Sequence, residues 1–181
     1  MKAKIEEIAY NFGSQEENLD KLKSINPDWD VKKIHETTGI NKRFCSSDSE
    51  TALDLAIKSA KKLKSNIEDI DLLLFVTQSP DYIWPTNACI AQDRLGLDKE
   101  VAAFDINLGC SGFVYALSVA SSLLETNQAT KVLILCADTY TKYISIHDRT
   151  SRPLFSDAGS ATILSKSAEQ SKIGPFIYGT D

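Results

Sequence analysis

Residues 72–77, 101–106 and 131–137 are short runs that are apolar at almost every position. Runs of that kind, without polar alternation, predict strands covered on both faces by helices. Helical periodicity fills the intervals at residues 86–95 and 111–124. Strand, helix, strand, helix, strand implies right-handed crossovers and a parallel or mixed sheet. Residues 2–12 alternate instead, with Ile5, Ile8 and Tyr10 among polar neighbours, which predicts a half-buried strand. Ser14 with Glu17 three residues later predicts a capping box and a helix start. Residues 30–38 predict a second short helix, ended by Gly39. The most amphipathic segment is residues 49–63. Ala52, Leu55, Ala56, Ala60 and Leu63 share one stripe there, and Lys58, Lys61 and Lys62 lie off it. Residues 159–165 and 172–178 are further strand candidates. The expected fold class is α/β, a mixed sheet covered by helices, in one domain over residues 1–181.

Composition narrows the function classes. With 181 residues, 43% apolar and 25% charged, the chain is long enough for one domain with a sizeable core. No apolar stretch reaches the 18 or so residues that a membrane helix needs. The first ten residues mix charge with apolar positions and lack the core of a secretory leader. A net charge of −5 argues against a nucleic-acid surface, since phosphate binding needs a basic field. Cys45, Cys89, Cys110 and Cys136 show no CxxC spacing, and only His35 and His147 accompany them, so neither a metal site nor a cofactor is expected. The composition suits a soluble protein of a reducing, cytoplasmic compartment. The chain stops at Gly179-Thr180-Asp181, directly after a predicted strand and without a closing helix, as either a natural terminus or a cut chain would.

The chemistry concentrates at residues 104–113, Phe-Asp-Ile-Asn-Leu-Gly-Cys-Ser-Gly-Phe. An apolar strand runs into Gly109, turns, and releases a helix from Ser111. The flanking glycines predict a tight, strained turn. Cys110 stands where hydrolases of the nucleophile-elbow type place serine. A helix N-terminus carries about half a positive charge, which favours thiolate over thiol. The helix that follows (Phe113, Val114, Tyr115, Ala116, Leu117, Val119, Ala120, Leu123, Leu124) is apolar nearly all round, so it is expected to be central, with Cys110 deep at its start. Spacing alone leaves two readings of Cys110, a nucleophile or a small core hydrophobe. Cys89 and Cys136 read as core positions, and Cys45 as a polar-loop thiol with no activating neighbour.

Residues 103–117, AFDINLGCSGFVYAL, resemble the active-site segment of the β-ketoacyl-acyl-carrier-protein synthase III family, within the thiolase-fold condensing enzymes. Thr38-Gly39-Ile40 followed by Arg43 is similar to that family's early TGI…R motif. Trp84-Pro85 matches an aromatic–proline pair before the helix near its dimer interface. Asp148-Arg149 and then residues 155–161, FSDAGSA, resemble its DR…FGDGAGA stretch. The resemblance covers almost the whole chain and implies the first, N-terminal half of a thiolase-like fold. The reaction it implies is decarboxylative condensation of an acyl-CoA primer with malonyl-carrier-protein, through an acyl thioester on Cys110. It also implies that Arg149 packs on the CoA adenine, that Trp84 lines the acyl pocket of a neighbouring subunit in a homodimer, and that Thr37 stands in the CoA site.

Two departures accompany it. Members of the family carry a Trp five residues before the threonine of TGI and an Arg immediately before it, where this chain has Lys33 and Thr37; Trp29 is out of register. The adenine clamp is therefore altered, and a carrier protein becomes an alternative acyl donor. The catalytic His and Asn of the family belong to its second half, which this chain does not match, so these residues alone are expected not to condense malonyl thioesters. Alternatives of other kinds are a different thiolase-fold acyl transfer (hydroxymethylglutaryl, quinolone-type or ester-forming) and a non-catalytic half that partners another chain. A dinucleotide-binding domain fails for want of GxGxxG between strand and helix.

Overall fold

The computed structural model describes residues 3–168 and 173–180. Seven strands and five helices follow in order: β1 (Ala3–Phe12), β2 (Gln15–Asn18), α1 (Leu19–Ile25), α2 (Val31–Thr38), β3 (Lys42–Cys45), α3 (Ala52–Ala60), β4 (Leu72–Val76), α4 (Asn87–Arg94), β5 (Ala102–Ile106), α5 (Gly112–Glu125), β6 (Lys131–Asp138) and β7 (Ala158–Lys166), with a 3₁₀ turn at Tyr140–Lys142. The main sheet has the order β1-β7-β6-β4-β5, and β2 pairs with β3 in a small separate ribbon. β4 runs parallel to both β5 and β6, whereas β7 is antiparallel to β6 and β1. The mixed α/β sheet expected from the apolar runs is present.

Alternate residues of the strands feed two cores. Leu73, Phe75, Leu133, Leu135 and Ile163 face α3 and α4, and Leu72, Leu74, Val76, Val132 and Ile134 face α5. Each of these ten side chains contributes about 1.5–3 kcal/mol of burial. α3 lies very close to the sheet. A Cβ at Gly159 would stand 2.5 Å from the Leu55 carbonyl carbon, so β7 meets the helix backbone to backbone. A capping box between Thr51 and Asp54 starts α3, and Gly39, at φ 72°, ends α2 in the left-handed conformation that glycine tolerates best.

Several expectations are corrected. Ser14 and Glu17 open no helix: residues 15–18 are strand β2, and Asn18 caps α1 by accepting the Lys21 N–H. Tertiary pairing overrides the local motif there, because Glu17 is buried against Arg43 across the β2–β3 ribbon. β5 is not covered on both faces. It is an edge strand, with Ala102 and Phe104 exposed. α5 is not buried all round either: Ala116, Ala120 and Leu124 meet the sheet, while Val114 is 48% exposed. Residues 173–178 form no strand; Lys172, like Lys2 of the first predicted strand, lies outside the described residues. Cys45 belongs to β3 and is buried, not a loop thiol, and Cys89 is exposed rather than core.

Candidate active site

Because β4, β5 and β6 are parallel, their C-terminal ends share one edge of the sheet, the usual place for ligand sites in α/β folds. The segment leaving β4 carries Trp84, the one leaving β5 carries Cys110, and the one leaving β6 carries Arg149. Three residues singled out in sequence are thus delivered to one edge by topology.

The Cys110 turn is short. The Gly112 N–H donates to the Gly109 carbonyl at 2.8 Å, and the Val114 and Tyr115 N–H groups donate to the Ser111 carbonyl at 3.0 and 3.2 Å. Among the described residues no acceptor takes the Cys110 N–H. The expected backbone strain is absent, since neither Gly109 nor Gly112 has a positive φ. The glycines serve close packing instead. A Cβ at Gly112 would overlap the Val76 side chain, and one at Gly109 would stand 2.7 Å from Gln78 Oε1. Cys110 is exposed, contrary to the deep position expected, and the turn that carries it leaves the edge strand β5.

Gln78 escaped the sequence reading, and so did its support. Asp138 Oδ1 accepts from Thr77 Oγ1, the Gln78 N–H, the Ser79 N–H and Ser79 Oγ at 2.9–3.0 Å. That carboxylate shapes the turn that seats Gln78 against Gly109. The only sequence signal was an acid at the end of an apolar strand. Asp105, in β5 beneath the turn, accepts the Asn87 and Ala88 N–H groups at 2.9 and 2.7 Å and so holds the start of α4; burial pushes its carboxyl above the usual range.

Thr37 and Arg149 come together. With Lys33, Ile34, Thr38 and Leu154 they line a cavity of about 200 Å³ between α2 and the segment after β6. Cys110 and Trp84 do not line it. Trp84 projects from the segment after β4 and is 82% exposed, beside Ile83 at 97%. The histidines are engaged elsewhere: His35 Nδ1 lies 3.2 Å from the Ile40 carbonyl, and His147 Nδ1 2.9 Å from Asn26 Oδ1.

The four thiols differ sharply. Burial pushes the Cys45 thiol up and that of Cys136 to about 12, whereas Cys89 and Cys110 are exposed. Iodoacetamide at pH 8 is therefore expected to label Cys110 and Cys89 and spare Cys45 and Cys136, as read by peptide mass mapping. Rapid labelling of Cys136 would contradict its raised pKa.

Comparison with known proteins agrees with this architecture. The family model for 3-oxoacyl-[acyl-carrier-protein (ACP)] synthase III matches residues 104–181, which include the Cys110 turn. The chain is 39% identical over 159 residues to beta-ketoacyl-[acyl-carrier-protein] synthase III of Clostridium perfringens (strain ATCC 13124), covering 86% of this chain and 47% of that protein. To the same-named protein of Clostridium novyi (strain NT) it is 40% identical over 164 residues, covering 88% and 49%. A crystal structure of a 3-oxoacyl-(acyl-carrier-protein) synthase III superposes on all of this chain and 55% of its own, with a TM-score of 0.93 and 43% identity. The chain spans about half the length of the curated relatives it matches. Over that half-length, in sequence and in fold, it is similar to members of the β-ketoacyl-acyl-carrier-protein synthase III family.

Proposed function

We propose that this chain is the N-terminal, nucleophile-bearing half of a 3-oxoacyl-acyl-carrier-protein synthase III. The observation that carries the reading is Cys110, an exposed thiol between β5 and α5 with its own N–H unclaimed among the described residues. The Cys110 thiolate attacks the carbonyl of an acyl-CoA thioester. The bond to the CoA sulfur breaks, CoA leaves and takes a proton, and the acyl group stays on Cys110. Exchange of one thioester for another is nearly balanced, so the intermediate is neither trapped nor wasted. The oxyanion that forms in passing accepts from the Cys110 N–H. A malonyl-carrier-protein then loses carbon dioxide, and its carbanion attacks the acyl carbonyl, releases the Cys110 thiolate and yields the 3-oxoacyl product.

Arg149, Lys33 and Thr37 line the cavity that receives the CoA end of the donor. The guanidinium of Arg149 offers a flat face for a purine, and Lys33 supplies a charge where relatives place an indole. His35 and His147 stand apart from the Cys110 turn, so the groups that promote decarboxylation belong to the remainder of the enzyme. That remainder covers the exposed side of α5 and shields the thioester from water. A second copy of the chain pairs along the open edge of β5, an unblocked strand with Ala102 and Phe104 uncovered, and receives Trp84 in its acyl pocket. The assembled enzyme is a cytoplasmic homodimer.

The test is product formation from malonyl-carrier-protein with two-carbon and eight-carbon acyl-CoA primers. The full-length enzyme is expected to release 3-oxoacyl-carrier-protein and to prefer the shorter primer, because the Trp84 indole fills the pocket. Residues 1–181 alone are expected to release none. Product from the isolated chain refutes the division of labour, preference for the eight-carbon primer refutes the role of Trp84, and no product from the full-length enzyme with any primer refutes the reaction.

A further inference from the structure

Residues 139–157 connect β6 to β7, and Arg149 lies in the middle of that connection. Its two ends are tied to each other and, through the Ser46 N–H on Asp157 Oδ2 at 2.7 Å and Lys142 Nζ on the Glu50 carbonyl at 2.7 Å, to the body of the protein. Thr141 gives its N–H to Asp157 Oδ1 at 2.9 Å and its hydroxyl to Oδ2 at 2.6 Å, and Arg152 Nη1 donates to the Thr141 carbonyl at 3.2 Å. Around Arg149 itself, Asp148 accepts the Thr150 and Ser151 N–H groups at 2.9 and 3.0 Å, which folds residues 148–151 into an Asx-type turn. That turn sets the local shape of the chain but attaches it to nothing.

The attachment comes from 120 residues away in sequence. Asn26, the C-cap residue of α1, is buried at 5% exposure. Its Nδ2 donates to the Ile146 carbonyl at 3.1 Å, and its Oδ1 faces His147 Nδ1 at 2.9 Å. The two contacts fix each other. The amide nitrogen must lie on the carbonyl, so the amide oxygen lies on the imidazole, and His147 carries a proton on Nδ1 and donates it. A side chain anchored in the body thus grips two consecutive residues, just before the Asp148–Ser151 turn. His147 is itself exposed, so this half of the grip contributes little to folding.

We propose that Asn26 and His147 form a positioning clamp that holds Arg149 against α2 and so sets the affinity of the cavity for the acyl donor. The clamp rests on the reading of that cavity as the donor site. His147 is a positioning residue and touches no reacting atom. With the His147 half released, residues 144–150 keep the Asn26 bond to the Ile146 carbonyl but lose the second tether, and the donor must order them on binding, at a cost in affinity and not in the chemical step.

The test compares His147→Ala, which removes the donor, with His147→Gln, which restores an N–H at similar reach, and uses Arg149→Ala as a control for the site. In the full-length enzyme, His147→Ala is expected to raise KM for acyl-CoA about three- to tenfold, the worth of one hydrogen bond, with kcat within about twofold and Tm unchanged. His147→Gln is expected to recover most of that affinity. Amide hydrogen exchange across residues 144–150 is expected to accelerate in His147→Ala and not in Arg149→Ala. Unchanged exchange in His147→Ala overturns the clamp outright, whatever the kinetics show. Faster exchange with unchanged KM in His147→Ala, while Arg149→Ala raises KM, overturns its effect on affinity and leaves the donor site standing. Unchanged KM in both variants overturns the donor site, and the clamp's part in binding with it. A fall in Tm and kcat together in His147→Ala marks a structural role and also overturns the proposal.

Discussion

Cys110→Ser is expected to abolish the acyl adduct that forms when the protein is incubated with acyl-CoA and weighed intact. A serine hydroxyl is far less nucleophilic than a cysteine sulfur, and among the described residues both histidines are held elsewhere, so neither serves it as a general base. The loss is expected to reach about 10³-fold or more in the rate of acylation, in line with the removal of a nucleophile from other acyl-transfer enzymes. Cys89 is the necessary control, being the other exposed thiol. It receives the Thr86 hydroxyl at 3.3 Å and lies on α4 with its Sγ 3.9 Å from the Ala103 carbonyl of β5, so Cys89→Ser is expected to keep the adduct. An adduct that survives in Cys110→Ser and vanishes in Cys89→Ser would move the nucleophile to α4. The mass added to the unsubstituted protein names the primer.

Arg43→Met is expected to destabilise the fold by about 3–5 kcal/mol, the cost of leaving one partner of a buried ion pair alone. Arg43 and Glu17 are 3% and 4% exposed. Arg43 Nε donates to Glu17 Oε1 at 2.8 Å, its Nη2 reaches the same oxygen, and its Nη1 donates to the Phe155 carbonyl at 3.0 Å. Removing the guanidinium leaves the carboxylate, among the described residues, only the longer contact with Arg152 Nη2, 3.5 Å from its other oxygen. For a chain of this size the loss corresponds to roughly 6–20 °C in Tm. The double variant Glu17→Met with Arg43→Met is expected to be more stable than Arg43→Met, because no lone carboxylate is then buried. A shift of less than about 2 °C in Arg43→Met would show that water reaches Glu17.

That buried pair also explains why the sequence motifs spoke more clearly about the fold than about the site. Arg43, of the early TGI…R motif, bonds the carbonyl of Phe155, which opens the later FSDAGSA stretch. Phe44 N–H reaches Ser156 Oγ at 3.0 Å, and Ser46 N–H reaches Asp157 Oδ2 at 2.7 Å. Two motifs more than a hundred residues apart are thus one joint between the β2–β3 ribbon and the start of β7. Strands β4 and β6 were legible because burial on both faces demands uninterrupted apolar sequence. β5 carries a similar sequence yet lies at the edge, and a single chain does not encode what pairs with its free side. The exposure of Cys110 was illegible for the same reason: the apolar sides of α5 that remain uncovered here read in sequence as buried helix. Asp138 and Gln78 were missed because their importance arises from a turn that only tertiary structure assembles.

Ile8, Tyr10 and Phe12 lie in a row on β1, all at least 47% exposed, beside a hollow of about 550 Å³ bounded by Cys136, Asp138 and Ser160. On the proposed reading of this chain as an N-terminal half, the hollow closes only once the rest of the enzyme is made, which has a consequence for synthesis on the ribosome. With relatives about twice as long, and translation at about 5–20 residues per second, the first half waits on the order of 10–35 s for the stretch that covers it. A folded domain that emerges with an aromatic strip uncovered for that interval is a natural client for a ribosome-associated chaperone. Slow codons shortly after this segment would prolong the bare interval and lower the yield of active enzyme without changing a residue.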